Sequence, residues 1–342
     1  MSTLQIGLAV AGGLVLAAVV AHGAWTSRKM APRQATPAEP DTSPTGPIEP
    51  RLENDAFSPD VFVLPVAERK AVLDPLIDVI TPISLESEVS GEAALAALPV
   101  TRRVGSKPYA VEGLNSATRV WEPPTAGNRY DAFQAGVQLA NRLGALNDIE
   151  FSEFVVKAQE FCDAISGTPD FPDMLEEVAR ARELDQFASA NDAQLEFTLR
   201  ARSTAWSPGF VQQQAGRLGF VAGAMPGRMV LPSSAAGMPP ILGLAFDPQA
   251  ALAEDPAQTA IRELSLSLDV AQVDRSERPF VRMRESAKAL AAAMEGEITD
   301  DNGLPLPADA LDVIGSELEK LYDNLEQRDL AVGSVLARRL FS

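Results

Sequence analysis

The 342-residue chain predicts an α+β protein: two antiparallel-sheet units, each with helices on one face, preceded by a transmembrane helix and a Pro-rich tether. Three features carry this. Leu195, Phe197, Leu199 and Ala201 alternate with Glu196, Thr198, Arg200 and Arg202, and Leu264, Leu266 and Leu268 alternate with Ser265, Ser267 and Asp269. That period of two marks strands buried on one face only. Apolar side chains recur at helical spacing through Phe280, Met283, Ala287, Leu290 and Met294, and again through Leu311, Ile314, Leu318, Leu321 and Tyr322. Finally, one order of strands and helices is stated twice along the chain.

Residues 1–3 form a short leading segment, and residues 4–24 carry no charged side chain. Twenty-one residues at about 1.5 Å each span roughly 30 Å, the thickness of a hydrocarbon core. A cleaved signal peptide would have a basic leading region and a shorter apolar stretch, and Met1–Thr3 has no Lys or Arg. Arg28, Lys29 and Arg33 follow the span and none precedes it, so the positive-inside rule places the C-terminal bulk in the cytoplasm and the N-terminus outside. Residues 25–73 hold Pro32, Pro37, Pro40, Pro44, Pro47 and Pro50 among Thr, Ser, Ala and Glu. This composition buries too little to order itself and reads as an extended tether reaching on the order of 100 Å.

The first unit, residues 74–190, is expected to hold a strand at 76–85, a helix at 90–97, and short strands near 109–111, 119–121 and 136–141. Helices at 151–165 and 173–187 close it. The second unit, residues 193–329, repeats this order: a strand from Leu195, a helix at 211–218, a strand over 220–231 interrupted at Pro226-Gly227, strands at 241–246 and 264–270, and helices at 279–294 and 308–325. Gly167–Pro172 is shorter than Gly296–Pro307, which predicts a hairpin in the second unit that the first lacks. Residues 330–342 read as a C-terminal tail. In each unit the helices cover one sheet face and leave the other open to receive a peptide or a partner helix.

Composition excludes several chemistries. With 29 Lys plus Arg against 47 Asp plus Glu, the net charge of −18 argues against a nucleic-acid surface and against electrostatic adhesion to anionic lipid. Cys162 is the only cysteine and His22 the only histidine, which removes intramolecular disulfides, Cys/His zinc sites and His-based triads. Cys162 falls on the apolar stripe of its helix and reads as a small buried hydrophobe. Asp300-Asp301-Asn302-Gly303 reads as a hairpin turn and lacks the ligand spacing of a calcium loop. Met225, Met229 and Met238 either line a pliable groove or fill core gaps. Arg338-Arg339 reads as the cap of a short helix.

His22-Gly23-Ala24-Trp25-Thr26-Ser27-Arg28-Lys29 resembles the exit of the anchor in the ZipA family of bacterial division proteins. Gly219-Phe220, Phe280, Met283, Ser286-Ala287 and Asp300-Asp301 resemble landmarks of that family's C-terminal domain. The resemblance covers residues 1–30 closely and 193–328 loosely; residues 74–190 look like an addition, a possible degenerate repeat. It implies a non-enzymatic scaffold with no cofactor, metal or small-molecule substrate. Such a scaffold sits in the bacterial inner membrane at the division septum and binds the C-terminal tail of FtsZ, a tubulin-like GTPase. Carried across by strand alternation, the tail-binding face comprises Glu196, Thr198, Met225, Ile241, Gly243, Ala245, Ser265 and Ser267. Met225 stands where the family has it; the rest is smaller and more polar, and Asp247 and Gly303 stand where basic residues are expected. The alternatives are a tandem adaptor for another envelope protein and an anchored hydrolase using paired carboxylates.

Overall fold

The computed structural model describes residues 33–35, 73–253, 255, 259–300 and 303–342. The expected membrane span at 4–24, the leading residues 1–3 and most of the tether lie outside the described residues. Among the described residues, no helix is long and apolar enough to cross a membrane. The fold is mixed α+β with antiparallel sheets, and it divides into two compact units.

The first unit runs β1 (Asp78–Ser90), α1 (Gly91–Ala97), β2 (Arg103–Val104), β3 (Lys107–Asn115), β4 (Trp121–Glu122), β5 (Arg129–Gln138), β6 (Ala140–Asn141), β7 (Gly144–Ala145), α2 (Asp148–Ile165), β8 (Gly167–Pro169) and α3 (Met174–Asn191). Each helix starts where a side chain satisfies its first free N–H groups. Ser90 accepts from the Ala93 amide, and Asp173 from Leu175 and Glu176. Asn147 and Glu150 form a capping box, which starts α2 three residues before the apolar periodicity does. The strands β3 and β5 are longer than alternation predicts. They are largely buried on both faces, with Glu112, Gly113, Gly136 and Gln138 interrupting the apolar pattern. Where a strand was expected at 119–121, Arg119 instead takes a left-handed turn conformation and only Trp121–Glu122 pairs.

The second unit runs β9 (Gln194–Ala201), α4 (Pro208–Arg217), β10 (Val221–Ala222), β11 (Arg228–Leu231), β12 (Leu242–Ala245), α5 (Pro248–Ala251), β13 (Glu263–Asp269), α6 (Pro279–Met294), β14 (Gly296–Thr299) and α7 (Ala308–Glu326). Its core joins Phe197, Leu199, Leu244, Leu264, Leu266 and Leu268 to Phe280, Met283, Ala287 and Leu290 of α6. The Phe197 and Phe280 rings meet edge-on at 6.4 Å. Trp206 is fully buried, and its indole N–H donates to the Met294 carbonyl (2.8 Å), so its one polar atom is satisfied.

Sheet order shows how alike the units are. The first reads β2-β3-β5-β1-β8 and the second β11-β12-β13-β9-β14, with β10 added at one edge. In both, the opening strand is flanked by the last long strand and by a short strand that follows the central helix. That short strand is present in the first unit too, as β8. What the second unit adds is the return: Leu306 N–H donates to Ile298 O (3.0 Å), and Gly303, at φ 78°, turns the chain.

Two expected boundaries are corrected. Residues 335–342 are not a tail: α8 (Val335–Leu340) belongs to the first unit, while 330–334 stay with the second. Arg339 forms a two-pronged pair with Asp78 (3.0 and 2.6 Å) and its carbonyl accepts from Gln138 (2.8 Å). Nor is the whole of 25–73 a detached tether, because Arg33 is bonded into the second unit and Leu73 into the first.

Candidate peptide-binding face

The register of the second sheet arranges its helix-free face in rows. Val221, Val230, Gly243, Ser267 and Glu196 lie side by side across β10, β11, β12, β13 and β9. The next row is Arg228, Ala245, Ser265, Thr198 and Thr299, and a third sets Arg200 between Glu263 and Glu297. Strands stand about 4.8 Å apart and residues of one face repeat about every 6.8 Å along a strand. Gly243, Ala245, Ser265 and Ser267 therefore floor a shallow trough along β12 and β13. Val230 and Arg228 flank it on one side, with Val221 beyond Val230, and Glu196 and Arg200 stand on the other.

The small residues make close approach possible. A Cβ on Gly243 would lie 2.7 Å from Ser267 Oγ, so the Ser267 hydroxyl lies over Gly243 and would have to turn aside for any side chain there. Ser267 Oγ lies 3.4 Å from the Gly243 carbonyl, at the limit of a hydrogen bond. Arg200 pairs with Glu263 (3.0 Å), and its guanidinium occupies the space where a Gly303 side chain would stand. A cation is thus present near the trough, from a strand position and not from positions 247 or 303. Asp247 caps α5, accepting from the Gln249 amide (2.8 Å).

Six of the expected residues, Glu196, Thr198, Gly243, Ala245, Ser265 and Ser267, share this face. Two do not lie as expected. Met225 is 64% exposed but sits in the turn between β10 and β11, so it borders the sheet edge and is not within a strand. Ile241 precedes β12 and is 1% exposed, with its amide bonded to Leu231 O (2.8 Å). It is core, because the chain entering after Pro239-Pro240 turns inward before the strand begins. Val221, Val230 and Arg228 belong to the face and escaped sequence reading; the alternation of Arg228 and Val230 with Met229 and Leu231 was the available signal. Met229 is core and Met238 half-buried, which assigns the remaining methionines.

One end of the corresponding face of the first unit is covered by its own chain, while Pro82 and Ser84 farther along it stay exposed. Asp78 and Gln138 pair across β1 and β5, both fully buried, and Arg339 lies on them. Leu73 packs where a Gly136 side chain would project, and its amide donates to Glu112 Oε1 (3.1 Å). Beside it is a cavity of about 390 Å³ walled by Leu73, Leu95, Pro99, Pro108, Pro123 and Arg339. The second unit has a more open groove of about 670 Å³ between α6 and α7, bordered by Arg278, Phe280, Lys288 and Tyr322. Among the described residues, no group of three His, Cys, Asp or Glu side chains could hold a metal ion. Cys162 is fully buried, and burial pushes its thiol up to about 11, which suppresses the nucleophilic thiolate.

Comparison of the chain with family models and with curated proteins finds no match.

Proposed function

We propose that this protein is a ZipA-like scaffold that tethers FtsZ filaments to the cytoplasmic face of the inner membrane, taking the FtsZ C-terminal tail on the open sheet face of the second unit. One observation carries the reading. The second unit keeps a face with a small-residue floor between Val230 and Arg228 on one side and Glu196 and Arg200 on the other, while one end of the matching face in the first unit is taken up by Leu73 and Arg339. The second unit, whose face is the less obstructed of the two, then serves as the receptor. The chemistry is burial of apolar tail side chains against Val221 and Val230, with the tail backbone lying close over Gly243 and Ala245. So shallow a trough gives modest affinity per site, and many tethers on one polymer compensate through effective concentration.

The test is titration of the full chain in detergent with a fluorescent peptide of the FtsZ tail, read by anisotropy. Saturable micromolar binding, weakened at least tenfold by Val230→Asp and by Ala245→Asp, supports the reading. Absence of binding at millimolar peptide by the folded chain removes it and favours an adaptor for a different envelope protein. Ile241→Asp is unsuited to the test, because it places a charge in the core.

A further inference from the structure

Arg33 lies nine residues beyond Ala24, the last residue of the apolar stretch, and is already part of the second unit. Its amide donates to the Ala205 carbonyl (2.7 Å), and its own carbonyl accepts from the Ser207 amide (2.8 Å), a parallel bridge centred on Trp206. The Arg33 guanidinium pairs with the Glu295 carboxylate and holds it below the usual carboxylate range. Ala35 Cβ lies 3.8 Å from where a Gly209 side chain would begin.

The receiving edge offers a free carbonyl and amide on the side that faces Arg33. Trp206 spends both its backbone groups on Ile261, donating to and accepting from it at 2.8 Å. The carbonyl of Ala205 and the amide of Ser207 point the other way, and with residues 33–35 in place both residues are 2% exposed. Buried backbone groups need partners, and Arg33 is the partner of both. Trp206 itself is held through its indole N–H, which donates to the Met294 carbonyl at 2.8 Å.

We infer that the Ala205–Ser207 edge, with Glu295, is a docking site for the chain's own juxtamembrane segment, and that this contact holds the second unit at the bilayer surface. The nine residues from Ala24 to Arg33 reach about 30 Å at most when fully extended, against the order of 100 Å allowed by an undocked tether. This inference rests on the reading of residues 4–24 as the anchor. It sets the depth at which the peptide face is presented, and release of Arg33 lengthens the reach without any change in the face itself.

The full chain is reconstituted into phosphatidylcholine vesicles carrying a headgroup acceptor dye. A donor is placed at Val313→Cys, which is 62% exposed on α7, whereas Cys162 is fully buried and escapes labelling. Energy transfer is compared with Arg33→Pro, which lacks the N–H for Ala205, and with Glu295→Arg, which sets like charges together. A docked segment gives strong transfer that falls at least twofold in Arg33→Pro and in Glu295→Arg, and that the swap Arg33→Glu with Glu295→Arg restores toward wild type relative to Glu295→Arg alone. Vesicle-bound chain whose transfer is equal in wild type and Arg33→Pro overturns the docking. A chain that fails to float with the vesicles overturns the anchor, and the placement with it. Because flotation is scored separately from transfer, the two failures are distinct.

Discussion

Arg339→Ala removes the partner of Asp78, a carboxylate with no exposed surface in the centre of the first unit. Breaking a buried pair from one side leaves the Asp78 carboxylate with only the Asp74 amide as a donor (2.8 Å), and such a loss costs about 3–5 kcal/mol. Arg339 keeps 17% of its side chain exposed, so water can partly replace it and the lower end, about 3 kcal/mol, applies. Burial already holds the Asp78 carboxyl above its ordinary 3.8, outweighing the hydrogen bonds and charge of Arg339 that pull it down. A carboxyl raised in the folded state takes up a proton on folding, so its contribution to stability grows as pH falls through the window above 3.8 and shrinks as pH rises. Loss of Arg339 raises it further and widens that window upward. The destabilisation is therefore largest near neutral pH and smaller near pH 5. Amide exchange read by mass spectrometry on peptides from β1 and β5 reports it, with about 3 kcal/mol appearing as acceleration on the order of a hundredfold. Asp78→Leu with Arg339→Leu should recover most of the loss. Exchange in Arg339→Ala within twofold of wild type at pH 7.5, or a loss that grows toward pH 5, refutes the reasoning.

Leu199→Ala empties a fully buried site under the second sheet and should cost about 2–5 kcal/mol, seen as faster exchange in β9 and β13 with little change in β1 and β5. Asn147→Ala removes the capping box of α2 and should lower the stability of the first unit by about 1 kcal/mol, measured by urea denaturation. Cys162 should resist a thiol reagent in the native chain at pH 8 and react at the rate of a free thiol after unfolding; rapid native reaction would contradict its burial. Deletion of 335–342 should loosen β1 and β5 at least as much as Arg339→Ala, since it removes α8 together with the ion pair.

Local rules were enough for much of this protein. The bounds of α6, the openings of α1 and α3 next to Ser90 and Asp173, the faces of β9 and β13, and the Asp300–Gly303 turn all follow from period and turn chemistry over a few adjacent residues. Six of the eight face residues follow for the same reason, because alternation assigns a side once the strand is placed. Long-range partners carry no such local signal. Gly136 and Gln138 hide a central strand because Leu73 and Arg339 cover the face that alternation would have left polar. Ile241 has the parity of the open face yet is buried, since parity holds only inside a strand and Ile241 stands just before one. Arg33 and Arg339 read as a flanking charge and a helix cap, and the structure makes one the partner of a buried edge and the other the counter-ion of Asp78. Period and composition determined which elements form and which side each strand turns inward. Tertiary packing decided how much of each of two similar sheet faces stays open, because that depends on distant segments returning to satisfy buried backbone and charge.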